Sequence, residues 1–503
     1  PGIPNTLFAI SKRKGMIKKH NLYSSIITSA FTVGFGGSAG LESPAVGTTS
    51  GFSSYLGSLF RLNYKTRTLL IGCAAAGAMA SLFKAPVAAI VFAIEVIMLD
   101  LTTASMIPLL LASASAALTS QFFLGEDVLF HFDVEETLSF RSIPYYLPLG
   151  ITCGLLSVYF SKVYFLTDRL FGRIEKVYHK VVVGGVILGL LLFLMPPLYG
   201  EGYGVINQLL EGDAGGIMDN SLFADRQDNF VVLALFMIAV VLFKAVATSV
   251  TLRAGGIGGI FAPALFTGSF TGFIFARFIN HWNLGNVSES NFILVGMAGF
   301  MAGILHAPLT AIFLIAEITG GYELFIPLMI TAAIAYLTTK YTLPYSVYTM
   351  QLAKRGALIT HDKDQAVLTL MQLHKEIETN FETVDPYQTL GDLVQVIARS
   401  SRNLFPVVDR EGYFLGTVML NDVRDLMFKK ELYDKTYVHN LMSDAAEQVS
   451  VKDNMDMVMK KFESSGAWNL PVLQDGKYVG FVSKSKLFSA YRSLLRDFYD
   501  DSQ

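Results

Sequence analysis

Three short segments combine glycine with a proline placed where a helix would begin. They are Pro1-Gly2-Ile3-Pro4, Gly36–Pro44 and Gly255–Pro263. A helix N-terminus presents unpaired N–H groups and the positive end of the helix dipole, so it stabilises an anion. Glycine lets the ion approach the backbone, and proline in the first turn starts the helix without losing a needed N–H. Several such ends meeting at one point would bind a monovalent anion weakly enough for fast release.

One acidic residue, Glu42, lies inside the second of these segments, two positions before Pro44. A carboxylate that faces a membrane pathway is energetically costly and usually functional. It could occupy the helix N-terminus as a mimic of the anion and leave when it is protonated or displaced. The alternative is a surface carboxylate that caps the helix. Phe261 occupies the matching place in the third segment, so folding of this element does not require a carboxylate.

The composition indicates a membrane protein with a polar tail. Hydrophobic residues make up 52% of the 503 positions, charged residues make up 16%, and the mean hydropathy is +0.46. Soluble chains rarely have such values. A net charge of -2 gives no basic surface for nucleic acid. Only two cysteines occur, Cys73 and Cys153, which excludes a disulfide framework and a cysteine metal site.

Apolar stretches fill the chain up to about residue 340, and a straight membrane helix needs about 20 apolar residues. Some stretches reach that length, but Gly and Pro interrupt others at Gly34–Pro44 and Gly255–Pro263. Broken helices are tolerated at membrane depth where they are buried in protein or line a wet cavity. The pattern favours a transporter or channel over a simple anchor. The main stretches are Tyr23–Val33, Val181–Leu198, Phe230–Val250, Phe292–Ile318 and Leu324–Leu337.

The apolar body contains an internal repeat. Gly77–Glu95 aligns without a gap to Gly299–Glu317, and the two share Met-Ala, Ala-Pro, Ala-Ile and a final glutamate. A glycine-rich segment precedes each copy. Two related halves with paired broken helices predict a binding site between the repeats near the middle of the membrane. We expect Glu95 and Glu317 to stabilise structure rather than to carry transport.

At these residues the sequence resembles the CLC family of chloride channels and chloride/proton exchangers. The family's first motif, Gly-Ser-Gly-Ile-Pro, is similar to Pro1–Pro4, with Pro1 at the serine position. Its second, Gly-Lys/Arg-Glu-Gly-Pro, is similar to Gly40–Pro44, where Leu41 and Ser43 depart from the pattern. Its third, Gly-x-Phe-x-Pro, is intact at Gly259–Pro263. Tyr348 is similar to the family's pore tyrosine. The resemblance also implies that the family's first helices would precede Pro1.

The resemblance implies a role for each matching position. Glu42 would be the gating glutamate, and the anion would be bound by Pro1, Gly2, Ile3, Gly259, Ile260, Phe261 and Tyr348, with Ile260 and Phe261 acting through their N–H groups. Val96 occupies the position of the exchangers' internal proton glutamate, and valine cannot carry a proton. The sequence therefore favours a voltage-gated type of chloride channel, with a proton-coupled exchanger as the alternative. Chloride is the first expected anion and nitrate the second.

The polar tail contains a second repeat, in which Asn403–Asp409 is echoed by Asn469–Gln474, each after an amphipathic helix. This resembles a tandem pair of CBS domains. Such pairs often bind adenine nucleotides through a hydroxyl and an Asp. The first copy keeps the Asp, as Asp422, but lacks the residue with the hydroxyl. The second copy keeps the hydroxyl, on Ser483, but lacks the Asp. We therefore expect a structural or dimer-stabilising role in preference to nucleotide binding.

The predicted protein is an all-α multi-pass membrane domain of CLC-like inverted repeats with a cytosolic α/β CBS pair. The expected boundaries are 1–352 for the membrane domain, 353–363 for a linker, and 364–430 and 431–503 for the CBS domains. Basic residues at Lys12–Lys19 place that loop, and with it the tail, in the cytosol of a cell membrane protein. The resemblance implies a homodimer without a required cofactor, and no enzyme.

Two other classes remain as alternatives. A divalent-cation transporter with CBS domains would need intramembrane carboxylates, and the apolar body has few acids. A soluble CBS-containing enzyme would need a less apolar body and a phosphate-binding loop, and no Gly-x4-Gly-Lys-Ser/Thr motif occurs.

Overall fold

The structure is a computed structural model that describes residues 2–97, 103–125, 140–226, 229–354, 371 and 373–499. The chain divides into two compact units, Pro1–Leu358 and Ile359–Gln503. The predicted linker, 353–363, falls largely outside the described residues.

The first unit is built from helices, and six of those described are long and apolar enough to cross a membrane. Exposed side chains on these helices are often apolar, as at Val186 and Phe193, which are 68% and 67% exposed. Such a surface is suited to lipid. The chain is thus a multi-pass membrane protein. The first half contains α1 (Ile3–Lys12), α2 (Asn21–Gly34), α3 (Glu42–Leu59), α4 (Tyr64–Phe83), α5 (Pro86–Glu95) and α6 (Thr103–Leu124).

The second half begins with the longest helix and repeats the short, broken elements of the first half. It contains α7 (Ile143–Gly172), α8 (Val177–Leu194), α9 (Tyr203–Leu210), α10 (Phe230–Arg253), α11 (Phe261–His281), α12 (Glu289–Leu305), α13 (Pro308–Ile318), α14 (Phe325–Thr342) and α15 (Val347–Lys354).

The internal repeat is confirmed by the backbone. Lys84 caps the C-terminus of α4 and His306 caps that of α12, and both residues adopt the left-handed conformation, with φ of 54° and 56°. Pro86 and Pro308 then start α5 and α13. Because proline cannot continue the preceding helix, the apolar stretch Phe292–Ile318 forms two helices rather than one.

The two Ala-Pro helices cap each other across the repeat. The Glu95 carboxylate, at the end of α5, accepts the N–H groups of Leu309 and Thr310 at 3.1 and 2.7 Å, and also the Thr310 hydroxyl at 2.7 Å. The Glu317 carboxylate, at the end of α13, accepts the N–H groups of Val87 and Ala88 at 3.0 and 2.7 Å. Each glutamate therefore satisfies the orphan donors of the other half's helix.

Glycines allow the core helices α11 and α12 to approach closely. A Cβ atom on Gly272 would lie 1.9 Å from the carbonyl oxygen of Phe292, and one on Gly268 would lie 2.5 Å from that of Gly296. No side chain fits such spaces, so the two backbones pack against each other directly. Small residues are the usual means of close helix packing in membranes.

The second unit contains two related α/β modules. In the first, β1 (Leu404–Val408) pairs antiparallel with β2 (Phe414–Met419); in the second, β4 (Asn469–Gln474) pairs antiparallel with β5 (Lys477–Ser483) and parallel with β3 (Val449–Ser450). The predicted order of helix, strand, turn and strand is confirmed in both copies. Among the described residues of the unit, the α-helices are α16 (Leu373–Glu376), α17 (Leu390–Arg399), α18 (Leu420–Val423), α19 (Met455–Ser465) and α20 (Lys484–Tyr499).

Candidate anion-binding site

The second and third glycine-rich segments are joined by their backbones. The N–H of Gly40 donates to the carbonyl of Gly259 at 2.9 Å, and the N–H of Gly259 donates to the carbonyl of Gly40 at 2.7 Å. A Cβ atom on Gly259 would lie 2.7 Å from the Cβ of Ser43, so this approach requires glycine. The pair of bonds places the first turns of α3 and α11 side by side.

The start of α1 meets the same point. The N–H of Ile3 donates to the Ser43 hydroxyl at 3.1 Å in a buried hydrogen bond. A Cβ atom on Gly47 would lie 2.8 Å from the Cα of Gly2, which has a φ of 83° that favours glycine. Three helix N-termini thus converge around Ser43. Pro1, the remaining residue of the first segment, lies outside the described residues.

Glu42 lies at the first position of α3 and is 2% exposed. The hydroxyl of Tyr203 donates a hydrogen bond to its Oε1 atom. Its Oε2 atom is buried next to Gly40, and among the described residues it has no hydrogen-bond partner. A Cβ atom on Gly40 would meet both this Oε2 atom and, at 3.0 Å, the Cβ of Ala262 in the first turn of α11. The acidic group therefore lies over the junction of α3 and α11.

The other predicted residues lie around this junction. Ile260 and Phe261 are 2% and 0% exposed, and their N–H groups belong to the first turn of α11, where the helix offers no acceptor. The Phe261 ring packs against Phe83 and Phe92, with centroid distances of 5.3 and 6.5 Å. Its side chain therefore belongs to the core, and what it presents to the junction is its backbone.

Tyr348, at the start of α15, is 4% exposed, and its hydroxyl has no hydrogen-bond partner within the part of the chain that the structure describes. It is close enough to Glu42 for an electrostatic interaction between the two groups. A buried hydroxyl without a partner is unusual and costs free energy unless a ligand or water satisfies it.

The comparisons with known proteins identify the family. Residues 1–340 match the family described as voltage gated chloride channel, and residues 375–429 and 438–493 each match the CBS domain. The chain belongs to the CLC family. Its CBS pair follows the membrane domain, as the sequence predicts.

Relatives within the CLC family carry two kinds of name. A putative chloride channel protein ClcB-like from Ralstonia nicotianae is 28% identical over 362 residues, covering 70% of this chain and 80% of the relative. An H(+)/Cl(-) exchange transporter ClcA from Vibrio cholerae is 28% identical over 309 residues, covering 60% of this chain and 62% of the relative. The chain therefore spans less than two thirds of that exchanger.

A solved CLC structure has the same fold in its membrane domain. The crystal structure of a CLC-type fluoride/proton antiporter has a TM-score of 0.57 at 24% identity, covering 69% of this chain and 82% of that one. At this identity the likeness concerns the fold.

Two residues that the sequence reasoning did not select also reach the junction. Tyr203 contacts Glu42, and Glu201 accepts the N–H of Leu41 at 2.9 Å through its Oε1 atom. Both belong to the segment Gly200-Glu201-Gly202-Tyr203, which resembles the other glycine-rich segments but lacks a proline. The sequence feature that could have identified them is an acidic residue between two glycines in an apolar body.

Val96, the predicted replacement for an internal proton glutamate, follows the last residue of α5 and is 5% exposed. It lies next to Glu95, whose carboxylate is engaged by the first turn of α13. The end of α5 thus offers one carboxylate with a structural partner and one buried apolar side chain.

The residues considered for nucleotide binding lie on different modules of the tail. Asp422 is exposed on α18, and Ser483 ends β5. The Ser483 hydroxyl donates to Glu378 at 2.6 Å, and Arg402 pairs with the same carboxylate at 2.6 Å. Burial by itself would raise the pKa of Glu378, but the hydrogen bonds from Ser483 and Arg402 lower it below its ordinary value. The Ser483 hydroxyl, which would contact phosphate in a nucleotide-binding CBS pair, is thus hydrogen-bonded to a carboxylate of the chain.

Proposed function

We propose that this CLC protein moves chloride across the membrane through a pathway that Glu42 gates. The observation that carries this proposal is the meeting of three helix N-termini around Ser43, with the buried Glu42 carboxylate over the junction of two of them, α3 and α11. Such ends stabilise negative charge, whether it belongs to the carboxylate or to an anion that replaces it. Ile260, Phe261 and Tyr348 supply donors that remain available to an anion once Glu42 leaves.

Passive conduction is the preferred mechanism. Val96 supports it, because a buried valine offers no site for a proton on the cytosolic side of the gate. A proton-coupled exchanger is the second candidate, and the presence of Glu201 beside the Glu42 site favours it, since two neighbouring carboxylates could pass a proton between them. Names among the relatives include both classes.

The remaining parts of the proposal concern the surroundings of the pathway. Basic residues at Lys12–Lys19 support a cytosolic position for that loop and for the tail, and a plasma or inner membrane is the proposed location. We expect a homodimer with one pathway in each subunit. Chloride is the ligand and no cofactor is required; the Ser483–Glu378 contact supports a structural CBS pair over one that binds adenine nucleotide.

The test is anion efflux from chloride-loaded liposomes that contain the purified protein, with external pH recorded in parallel. Wild type should release chloride without proton movement, and Glu42→Gln should change the rate and remove its dependence on pH. Glu323→Gln, at an exposed position, is the control and should behave as wild type. Chloride efflux that drives proton uptake in wild type and not in Glu42→Gln would establish the exchanger instead. Absence of any anion flux would refute the proposal.

A further inference from the structure

Helix α9 and the segment before it approach Glu42 from the second half of the chain. Gly200 and Gly202 have φ values of 60° and 90°, so the backbone turns sharply on each side of Glu201. A Cβ atom on Gly202 would lie 2.4 Å from the ring of Phe266, which shows how closely the segment is held against α11. These turns direct Glu201 toward Leu41 and Tyr203 toward Glu42.

A buried lysine on α10 holds this segment in place through hydrogen bonds to its backbone. Lys244, on α10, is 0% exposed, and its ammonium group donates to the carbonyls of Leu198 and Gly200 at 3.3 and 3.2 Å. It also lies 4.4 Å from the centroid of the Phe266 ring. A fully buried ammonium is costly without an opposite charge, and Glu201 supplies the negative charge that acts on it.

We propose that Tyr203, Glu201 and Lys244 are positioning residues that set the proton concentration at which Glu42 releases the anion pathway. This inference rests on the proposed function of Glu42 as a gate. Tyr203 holds the ionised carboxylate in place through its hydroxyl. Glu201 opposes that ionised form by its own negative charge, and Lys244, whose ammonium group is bound to the carbonyl of the adjacent Gly200, partly offsets that charge.

Within the described chain, the ionisable side chains that act on Glu42 come from α9 and the segment before it, from α15 and from α10. Glu201 and Tyr203 face it from the segment at the start of α9, and Tyr348 faces it from α15. Lys244 acts from α10 through Glu201. On α4, which packs along α3, Arg67 is engaged by carbonyls at the far end of α3, including that of Gly57.

The arrangement predicts shifts of opposite sign in the pH at which flux is half-maximal. Tyr203→Phe removes a charge-assisted hydrogen bond to the ionised gate, so the gate is protonated and released at a higher pH. The expected change is about tenfold in proton concentration, or about one pH unit. Glu201→Gln removes a negative charge and leaves Lys244 unbalanced, so the ionised gate is favoured and the midpoint moves to lower pH.

Lys244→Met exposes Glu42 to the full charge of Glu201 and should move the midpoint to higher pH. In the double variant Glu201→Gln, Lys244→Met, both charges are gone and the midpoint should return toward that of wild type. If these side chains had a purely structural role, there would be no reason for the single variants to shift the pH midpoint in opposite directions, or for the double variant to restore it. Tyr203→Phe retains the ring and its packing, so it remains informative if the lysine variant does not fold.

The experiment measures chloride efflux from liposomes over a range of external pH for wild type and these variants, each also with Glu42→Gln. On the Glu42→Gln background, Tyr203→Phe should have no further effect, because the two residues act as one unit. The inference is overturned if Tyr203→Phe leaves the wild-type profile unchanged, or if its effect persists without the Glu42 carboxylate. Failure of the proposed function itself is distinct, since wild type would then show no flux or no response to Glu42→Gln.

Discussion

Replacement of Glu95 by alanine should destabilise the membrane domain while leaving the anion pathway intact. The Glu95 carboxylate satisfies the start of α13, and its loss leaves the N–H and the hydroxyl of Thr310 without their acceptor. An unsatisfied buried donor costs about 1–3 kcal/mol. Loss of a negative charge at a helix N-terminus adds about 0.3–1 kcal/mol. With the N–H and the hydroxyl of Thr310 each taken at the low end of that range, and with the charge contribution added, we expect a total of about 2–3 kcal/mol.

The matching glutamate of the other repeat provides a graded comparison. Within the part of the chain that the structure describes, Glu317 accepts two backbone N–H groups, of which that of Ala88 is partly buried. Glu317→Ala should therefore cost somewhat less than Glu95→Ala, and Thr310→Val, which removes one hydroxyl contact, should cost the least, about 0.6–1 kcal/mol.

The assay is thermal unfolding of the purified protein in detergent, combined with chloride efflux per folded protein. Glu323→Ala, at an exposed position, is the matched control and should unfold as wild type. The reasoning fails if Glu95→Ala unfolds at the wild-type temperature. It also fails if that variant keeps its stability and loses flux, because Glu95 would then serve transport rather than structure.

Three further predictions concern single positions. Tyr348→Phe removes a buried hydroxyl that has no partner among the described residues, so thermal stability should be unchanged or slightly raised. The same substitution should weaken chloride binding measured by calorimetry, and unchanged binding would contradict a role for the hydroxyl. Gly272→Ala should prevent recovery of monodisperse protein on gel filtration, because its Cβ would meet the Phe292 carbonyl, whereas Gly189→Ala, which meets nothing within 4 Å, should not. Glu378→Gln should flatten the loss of tail stability on acidification below the ordinary Glu pKa of 4.5, because the folded pKa of this group is lowered and its contribution, present above the unfolded pKa, disappears as pH falls. An unchanged acid limb in thermal unfolding would contradict this.

Local features of the fold were predictable because glycine and proline act on their own backbone. Proline in the first turn fixed the starts of α1, α3, α5, α11 and α13, and the aligned glutamates identified the two Ala-Pro helices as a pair. The repeat of Asn403–Asp409 at Asn469–Gln474 also carried the resemblance to a CBS pair, which the family match confirms. The expectation that Glu95 and Glu317 stabilise structure agrees with their hydrogen bonds to the opposite helix.

Contacts across the repeats could not be read from either segment alone. The Ser43 hydroxyl accepts a hydrogen bond from the N–H of Ile3. Because the family motif has glycine where this chain has Ser43, the serine engages one N–H donor of the junction. On the tail, Ser483 retains the residue type of a phosphate contact, yet a carboxylate from Glu378 occupies it. In both cases the residue type permits several partners, and packing selects one.

The sequence by itself determined the apolar body, the repeated helix starts, the placement of Glu42 at one of them, and the polar tail. Only the tertiary structure decided that Tyr203, which is 161 positions away, donates its hydroxyl to Glu42, and that the nearby Glu201 interacts with Lys244. The physical reason is that helix starts depend on the backbone preferences of adjacent residues, whereas the contacts of a buried carboxylate depend on which helices pack around it. Those helices come from both halves of the chain and are brought together by close packing of glycines such as Gly40 and Gly259.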